Sequence, residues 1–268
     1  MNKILEINNL CVGYNNKPNV LKDVNLSVFN NDFLGIIGPN GGGKTTLLKA
    51  ILALISPSKG EIIFYSKDNR PTKNINIGYL PQINKIDKQF PISVFDVILS
   101  GVSNRNGFLK KRDKGDKEKV EAIAQKMGVN ELLNRAIGEL SGGQLQRTLL
   151  GRAMVDNPDI LILDEPNSYV DKRFETNFYH LLEEINESTA IILVSHDIGT
   201  ILPLVKNVAC VNGNLHYHQG SNISTEWLAE TFSECPIELV THGDFPHRVL
   251  DKHAGCSCCE DDSTKQNI

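Results

Sequence analysis

Hydrophobic side chains fall into distinct rhythms along this chain. Over residues 3–7 and 24–30 apolar and polar positions alternate, as in strands with one buried face, and Asn15-Asn16-Lys17-Pro18-Asn19 between them is turn chemistry. Phe33-Leu34-Gly35-Ile36-Ile37 and Ile160-Leu161-Ile162-Leu163 are continuous apolar runs, the mark of short strands buried on both faces. Glu61-Ile62-Ile63-Phe64-Tyr65 and Ile77-Gly78-Tyr79-Leu80 read as further strands. Helical spacing appears at Leu47, Leu48, Ile51, Leu52 and Ile55, and predicts one helix through all five. From about residue 83 to 157 the pattern is helical: Ser93 is placed as an N-cap, Val120, Ile123, Ala124 and Met127 share a face, and Leu145, Leu149, Leu150, Ala153 and Met154 mark another helix. The chain is therefore α/β with a helical insertion.

The turn between the first buried run and the first helix carries chemistry. Gly38-Pro39-Asn40-Gly41-Gly42-Gly43-Lys44-Thr45-Thr46 matches G-x-x-x-x-G-K-[ST] at every fixed position, in the strand-to-helix context the motif requires. Glycines let backbone N–H groups converge on a polyphosphate, the helix adds the positive end of its dipole, and Lys44 adds a point charge at the β- and γ-phosphates. Thr45 is placed to offer its hydroxyl to Mg²⁺. The ligand expected is a nucleoside triphosphate. The buried run at 160–163 ends in Asp164-Glu165, two acids whose burial is costly unless a cation or water is near. Asp164 suits the Mg²⁺ shell, and Glu165 suits the base acting on the attacking water. Gln82 follows a short strand and Pro81, where its amide can coordinate a metal or position water. Ser141, Gly142 and Gly143 open a helix and form a second anion-binding turn, with Gln144 next in line.

Composition narrows the class. At 268 residues the chain suits one cassette with subdomains. A formal net charge of −4 argues against a nucleic-acid surface. The basic cluster Lys110-Lys111-Arg112-Asp113-Lys114 reads as a solvated loop. The first residues turn polar before a signal region develops, and the longest apolar run, 47–55, is too short to span a bilayer and holds Lys49, so neither a leader nor a membrane span is expected. Six cysteines in a chain that must meet cytosolic ATP are expected as thiols.

The phosphate loop, Gln82, Leu140-Ser141-Gly142-Gly143-Gln144, the strand ending at Glu165, and Val194-Ser195-His196-Asp197 together resemble the ATP-binding cassette (ABC) ATPases, in order and spacing, over residues 3 to about 218. The resemblance implies a P-loop NTPase of the ABC-cassette type, with an antiparallel β subdomain and a helical subdomain, covering residues 1–220. It implies a head-to-tail homodimer in which each ATP lies between the phosphate loop of one subunit and the signature of the other. Tyr14, about two dozen residues before the loop, then stacks on adenine. Lys44 and the amides of Gly41 to Thr46 hold phosphates; Thr45, Gln82 and Asp164 bind Mg²⁺; Ser141 and Gly143 reach the γ-phosphate from the partner subunit; Glu165 activates water; and His196 contacts the γ-phosphate.

Pro166-Asn167-Ser168-Tyr169-Val170-Asp171 has Tyr-Val where Ala-Leu is usual in the family. Val-Asp there, with Phe90-Pro91-Ile92-Ser93-Val94 and Gln144-Leu145-Gln146-Arg147, is similar to cassettes that drive uptake of zinc or manganese. The partners implied are an integral membrane permease, met at the cytoplasmic face of the membrane, and indirectly an extracellular or periplasmic metal-binding protein. Alternatives are an iron-siderophore, haem or exported cargo, or a soluble cassette serving iron–sulfur cluster assembly. A translation or DNA-repair cassette would need a second cassette or a long coiled-coil insertion.

Residues 221–268 stand outside the motif set. Residues 225–232 read as an amphipathic helix, and three histidines and three cysteines crowd into residues 242–259. His253, Cys256, Cys258 and Cys259 offer soft donors for Zn²⁺, although adjacent Cys258 and Cys259 strain a single tetrahedral site. Two readings stand: a tail without a specific role, or a segment that binds surplus metal and tempers transport.

Overall fold

The computed structural model describes residues 2–82, 90–102, 114–166, 172–195, 198–220, 238–241 and 246–249. Two compact units divide the chain, Met1–Ile223 and Ser224–Ile268. In the first unit the elements are, in chain order, β1 (Lys3–Tyr14), β2 (Lys17–Phe29), β3 (Phe33–Ile37), α1 (Lys44–Ile51), β4 (Lys59–Tyr65), β5 (Pro71–Thr72), β6 (Ile77–Leu80), α2 (Val94–Leu99) and α3 (Lys114–Lys126). There follow α4 (Gly142–Met154), β7 (Ile160–Asp164), α5 (Lys172–Asn186), β8 (Ala190–Val194), α6 (Ile198–Ile201), β9 (Asn207–Asn212) and β10 (Asn214–Gln219).

Two sheets form the α/β body. One is antiparallel, in the order β2-β1-β4-β5. The other runs β10-β9-β3-β8-β7-β6, parallel throughout except for the edge strand β10. The two continuous apolar runs behave as their composition requires: every residue of β3 and β7 is buried, and β8, which the sequence reading did not single out, is buried throughout as well. Their side chains join those of β1 and β2 and of Leu47, Leu48 and Ile51 on α1 in one core. The phosphate loop thus leaves the carboxyl end of β3, a fully buried strand flanked on both sides, so its anchor lies inside the sheet.

The helical insertion is present, and its caps are local. Ser93 Oγ accepts the Asp96 N–H at 3.1 Å at the start of α2, and Val120, Ile123, Ala124 and Met127 are buried as their spacing predicts.

Three differences have physical causes. First, β1 and β2 reach the Asn15-Asn16 turn directly, because register shifts between Ile7 and Leu10 and between Leu10 and Val12 change which residues face inward. The alternation seen over residues 3–7 therefore cannot be extended by counting. Second, α1 ends at Ile51 instead of running through Ile55. Ala53 takes a left-handed conformation (φ 55°). The Leu54 N–H then returns to the Lys49 carbonyl at 2.8 Å and the Ala53 N–H to Ala50 at 3.0 Å. This is the helix stop that usually carries glycine; alanine in its place hides it from a sequence reader. Leu52 and Ile55 still pack on the core, but from the turn. Third, the buried stripe of α4 is built from Gln146, Thr148, Leu150, Gly151, Ala153 and Met154, with Leu145 and Leu149 only half-buried.

In the second unit, β11 (Glu238–Thr241) pairs antiparallel with β12 (Pro246–Val249), with His247 opposite Val240. The helix expected over 225–232 and the residues His253, Cys256, Cys258 and Cys259 lie outside the described residues.

Candidate active site

The loop between β3 and α1 is pinned before it meets any ligand. The Gly213 N–H donates to the Gly42 carbonyl at 2.9 Å, and the Lys22 N–H to Gly213 at 2.8 Å, so the phosphate loop, the β9–β10 turn and β2 hold one another. Gly43 caps α1 at φ 109°, and a Cβ there would lie 2.5 Å from the Leu21 side chain, so backbone freedom and space both demand glycine. A cavity of about 380 Å³ lies over the loop, lined by Asn40, Gly41, Gly43, Lys44, Thr45, Thr46, Gln82 and Glu165.

Lys44 is buried, and its ammonium donates to the carbonyls of Gly38 at 2.8 Å and Pro39 at 3.0 Å. Burial lowers its pKa, while Glu165 and Asp164 work to hold its charge. A cation resting on carbonyl dipoles is poised to exchange them for phosphate oxygens, which carry full charge. Thr45 is exposed beside it.

Asp164, at the end of β7, is 4 % exposed. Burial raises its pKa, and repulsion by Glu165 adds to this; Lys44, a hydrogen bond from Tyr79 and the charge of Lys49 oppose it. The Tyr79 phenol is pushed up to about 12, chiefly by burial and then by the Asp164 charge. Strand register explains the meeting: Tyr79 pairs with Ile162, and the alternation of β7 puts Ile162 and Asp164 on one face.

Glu165 has a left-handed backbone (φ 49°), a conformation costing a non-glycine residue about 1–2 kcal/mol. Its N–H donates to the Val194 carbonyl at 3.0 Å. Its Oε2 accepts a short hydrogen bond from Gln82 Nε2, which joins the end of β6 to the end of β7 across the cavity mouth.

Tyr14, at the end of β1, is 40 % exposed. Its hydroxyl stands 3.4 Å from Thr46 Oγ1, and Lys49 Nζ lies 5.5 Å from its ring centroid. On the helical side, Ser141 caps α4 in a reciprocal box: its Oγ accepts the Gln144 N–H at 3.3 Å and its N–H donates to Gln144 Oε1 at 3.0 Å. Ser141 and Gly142 are exposed, and no residue of 141–144 lines the cavity over the phosphate loop.

A strand-anchored glycine loop with a buried lysine, two carboxylates and a bridging glutamine is the geometry of a triphosphate site, and comparison with known proteins agrees. The family model described as "ABC transporter" matches residues 21–168. The chain belongs to the ABC transporter family. It is 36 % identical to the zinc uptake system ATP-binding protein ZurA of Listeria innocua, over 86 % of this chain and 91 % of that protein. It is 42 % identical to the manganese transport system ATP-binding protein MntB of Bacillus subtilis, over 73 % of this chain and 78 % of that one. A solved structure of an ABC transporter in an inward-facing conformation superposes with a TM-score of 0.80 at 25 % identity, covering 94 % of this chain and 98 % of that one.

The cassette is thus an ATP-binding chain of ATPase type. Its donors fit Mg²⁺-ATP: hydroxyl, amide and carboxylate oxygens are the hard ligands Mg²⁺ takes, and a cation would relieve the mutual repulsion of Asp164 and Glu165. Among the described residues no cluster of three or more His, Cys, Asp or Glu is arranged to hold a metal ion.

Asn40, Gly41, Gly43, Lys44, Thr45, Thr46, Gln82 and Glu165 line one cavity, with Asp164 buried beside it under the influence of Lys44 and Glu165 and with Gly38 and Pro39 accepting from Lys44, whereas Ser141, Gly142, Gly143 and Gln144 stand apart from it. His196 lies outside the described residues; the preceding Ser195 is buried, with its N–H on the Ile36 carbonyl at 3.2 Å. Sequence reading missed Tyr79 and Lys49, which reach Asp164 and Tyr14 from neighbouring elements. It also assigned Gln146 no role, although a glutamine inside the buried stripe of a helix was a visible signal.

Proposed function

We propose that this chain is the nucleotide-binding subunit of an importer for a divalent transition metal, zinc or manganese, acting on a separate membrane permease from the cytoplasmic face. The observation that carries the cargo is its similarity to zinc and manganese uptake ATP-binding proteins over most of its length. No described helix is long and apolar enough to cross a membrane, so in this reading transport needs another chain.

In the reaction, Tyr14 takes the adenine face, and Lys44 with the amides of Gly41 to Thr46 takes the phosphates. Thr45, Gln82 and Asp164 would hold Mg²⁺, which would supply charge neutralisation for the transferring phosphoryl group. Glu165 accepts the proton of the attacking water as its oxygen approaches the γ-phosphorus in line with the leaving ADP. The left-handed turn at Glu165 suits this role, since it turns the carboxylate off the strand direction into the cavity. His196 contacts the γ-phosphate, and Ser141 and Gly143 of a second copy close over it, so the catalytic unit is a homodimer. The extracellular or periplasmic metal-binding protein that feeds the permease is met only indirectly. The Cys/His-rich tail enters as a soft donor set, His253, Cys256, Cys258 and Cys259, able to take Zn²⁺ when metal is in surplus.

The test is cell-associated zinc, manganese and iron in metal-poor medium, with the native chain and with Glu165→Gln. Hydrolysis should fall about 10²–10⁴-fold with ATP binding kept, and zinc or manganese alone should fall with it. Unchanged levels of all three metals would leave the ATPase standing and overturn the cargo.

A further inference from the structure

Glu165 holds a backbone conformation that a non-glycine residue keeps only when its surroundings fix it. Two hydrogen bonds bracket the turn. Before it, the Glu165 N–H bonds the Val194 carbonyl at 3.0 Å, continuing the β7–β8 ladder. After it, Gln146 Nε2 donates to the Pro166 carbonyl at 2.9 Å, and Pro166 is itself buried.

Gln146 is 4 % exposed and sits in the inward stripe of α4, where Leu150, Ala153 and Met154 are its buried companions. A polar side chain at such a position is tolerated only with its hydrogen bond made. Its partner is a main-chain carbonyl at the exact turn that aims a carboxylate, and the helix it stands on is the one that Ser141 caps and Gly142 and Gly143 open.

We propose that Gln146 is a positioning residue for ATP hydrolysis: its amide clamps the Pro166 carbonyl and so holds the left-handed turn that presents Glu165 to the phosphate cavity. The clamp has a second effect. It ties the helix bearing the signature, which serves one nucleotide of a head-to-tail pair, to the strand end bearing Glu165, which serves the other. Engagement of the signature by ATP then reaches Glu165 of the same chain through one buried bond. The inference rests on Glu165 acting as the base.

Gln146→Met keeps length and volume and removes the donor. The kcat for ATP is expected to fall on the order of 10- to 100-fold, the effect of a misplaced group, while KM stays within about twofold. A merely structural role would lower the rate whatever stands at 165. The same substitution is therefore made in a Glu165→Gln background, where the residual rate should not change, because the turn no longer positions a base. Full kcat in Gln146→Met, or an equal fall in both backgrounds, overturns the inference. If Glu165→Gln alone retains turnover, the base assignment fails and takes this inference with it, a different result from a neutral Gln146 variant. Should Gln146→Met lack a cooperative thermal transition, Gln146→Glu replaces it in the same comparison, keeping the shape and losing the donor when ionised.

Discussion

Asp164 is a carboxyl group placed where the nucleotide-free protein is worse off for having it. Burial and the neighbouring Glu165 raise its pKa above the ordinary 3.8. The stability contributed by its neutral form is therefore fully present below about pH 3.8 and lost as pH rises through the higher folded-state value. At pH 7 the free protein carries a desolvated, repelled carboxylate that Lys44, Tyr79 and Lys49 only partly offset. Asparagine keeps the shape and a hydrogen-bond acceptor for Tyr79 while removing the charge. Asp164→Asn should then stabilise the nucleotide-free protein at pH 7 by about 1 kcal/mol, a typical gain at a functional site, or roughly 2–4 °C in the thermal midpoint for a chain of this size. The gain should vanish as pH approaches 4 and hydrolysis should be lost. A midpoint at pH 7 equal to or below that of the native chain would show that the local cations already compensate the carboxylate in full.

Between elements, the contact that sets the site's breadth is the approach of β6 to α4. Gly78 is the point of contact: a Cβ there would lie 2.3 Å from the Ala153 carbonyl oxygen and 3.0 Å from Pro158. The nearer atom is backbone in a helix and cannot rotate aside. Gly78→Ala should therefore cost about 1–3 kcal/mol, as overpacking does, and loosen the strand that carries Gln82 to Glu165. Urea unfolding measures the first effect, and an unchanged midpoint would mean that the strand can retreat freely. Sequence could show Gly78 inside a strand but not its neighbour, since the pairing of β6 with β7 joins residues about eighty positions apart. The same division runs through the whole site. The phosphate loop and the Asp164-Glu165 pair were legible because backbone-anion chemistry and buried acids leave short, contiguous signatures, and the cap of α4 at Ser141 was legible for the same local reason. Tyr79 on Asp164, Lys49 on Tyr14 and Gln146 on Pro166 were not, because each depends on packing between distant segments. The end of α1 failed for a local reason, an alanine doing what glycine usually does at Ala53.

For the whole molecule, the proposed homodimer makes one chain supply two unlike half-sites. The cavity over the phosphate loop is lined by residues of the loop, Gln82 and Glu165, and the exposed Ser141 at the head of α4 contributes nothing to it. A triphosphate bound there is held on one side, and in the proposed pair the turn at 141–143 of the other copy covers its second side. Twofold symmetry satisfies both at once, because in such a pair each contact made by one copy is returned by the other. In the proposed pair, closure takes two copies and two ATP molecules, and hydrolysis reopens it. Glu165→Gln, slowed in that last step, should elute as a monomer of 29.7 kDa without nucleotide and at twice that mass with saturating Mg²⁺-ATP, as read by light scattering. Ser141→Arg in the same background places bulk and a charge at the mating helix end, so it should remain monomeric while still binding ATP through its own loop. A Glu165→Gln protein that stays at 29.7 kDa when fully loaded with ATP would refute the shared site, for then the single chain must complete its own cavity.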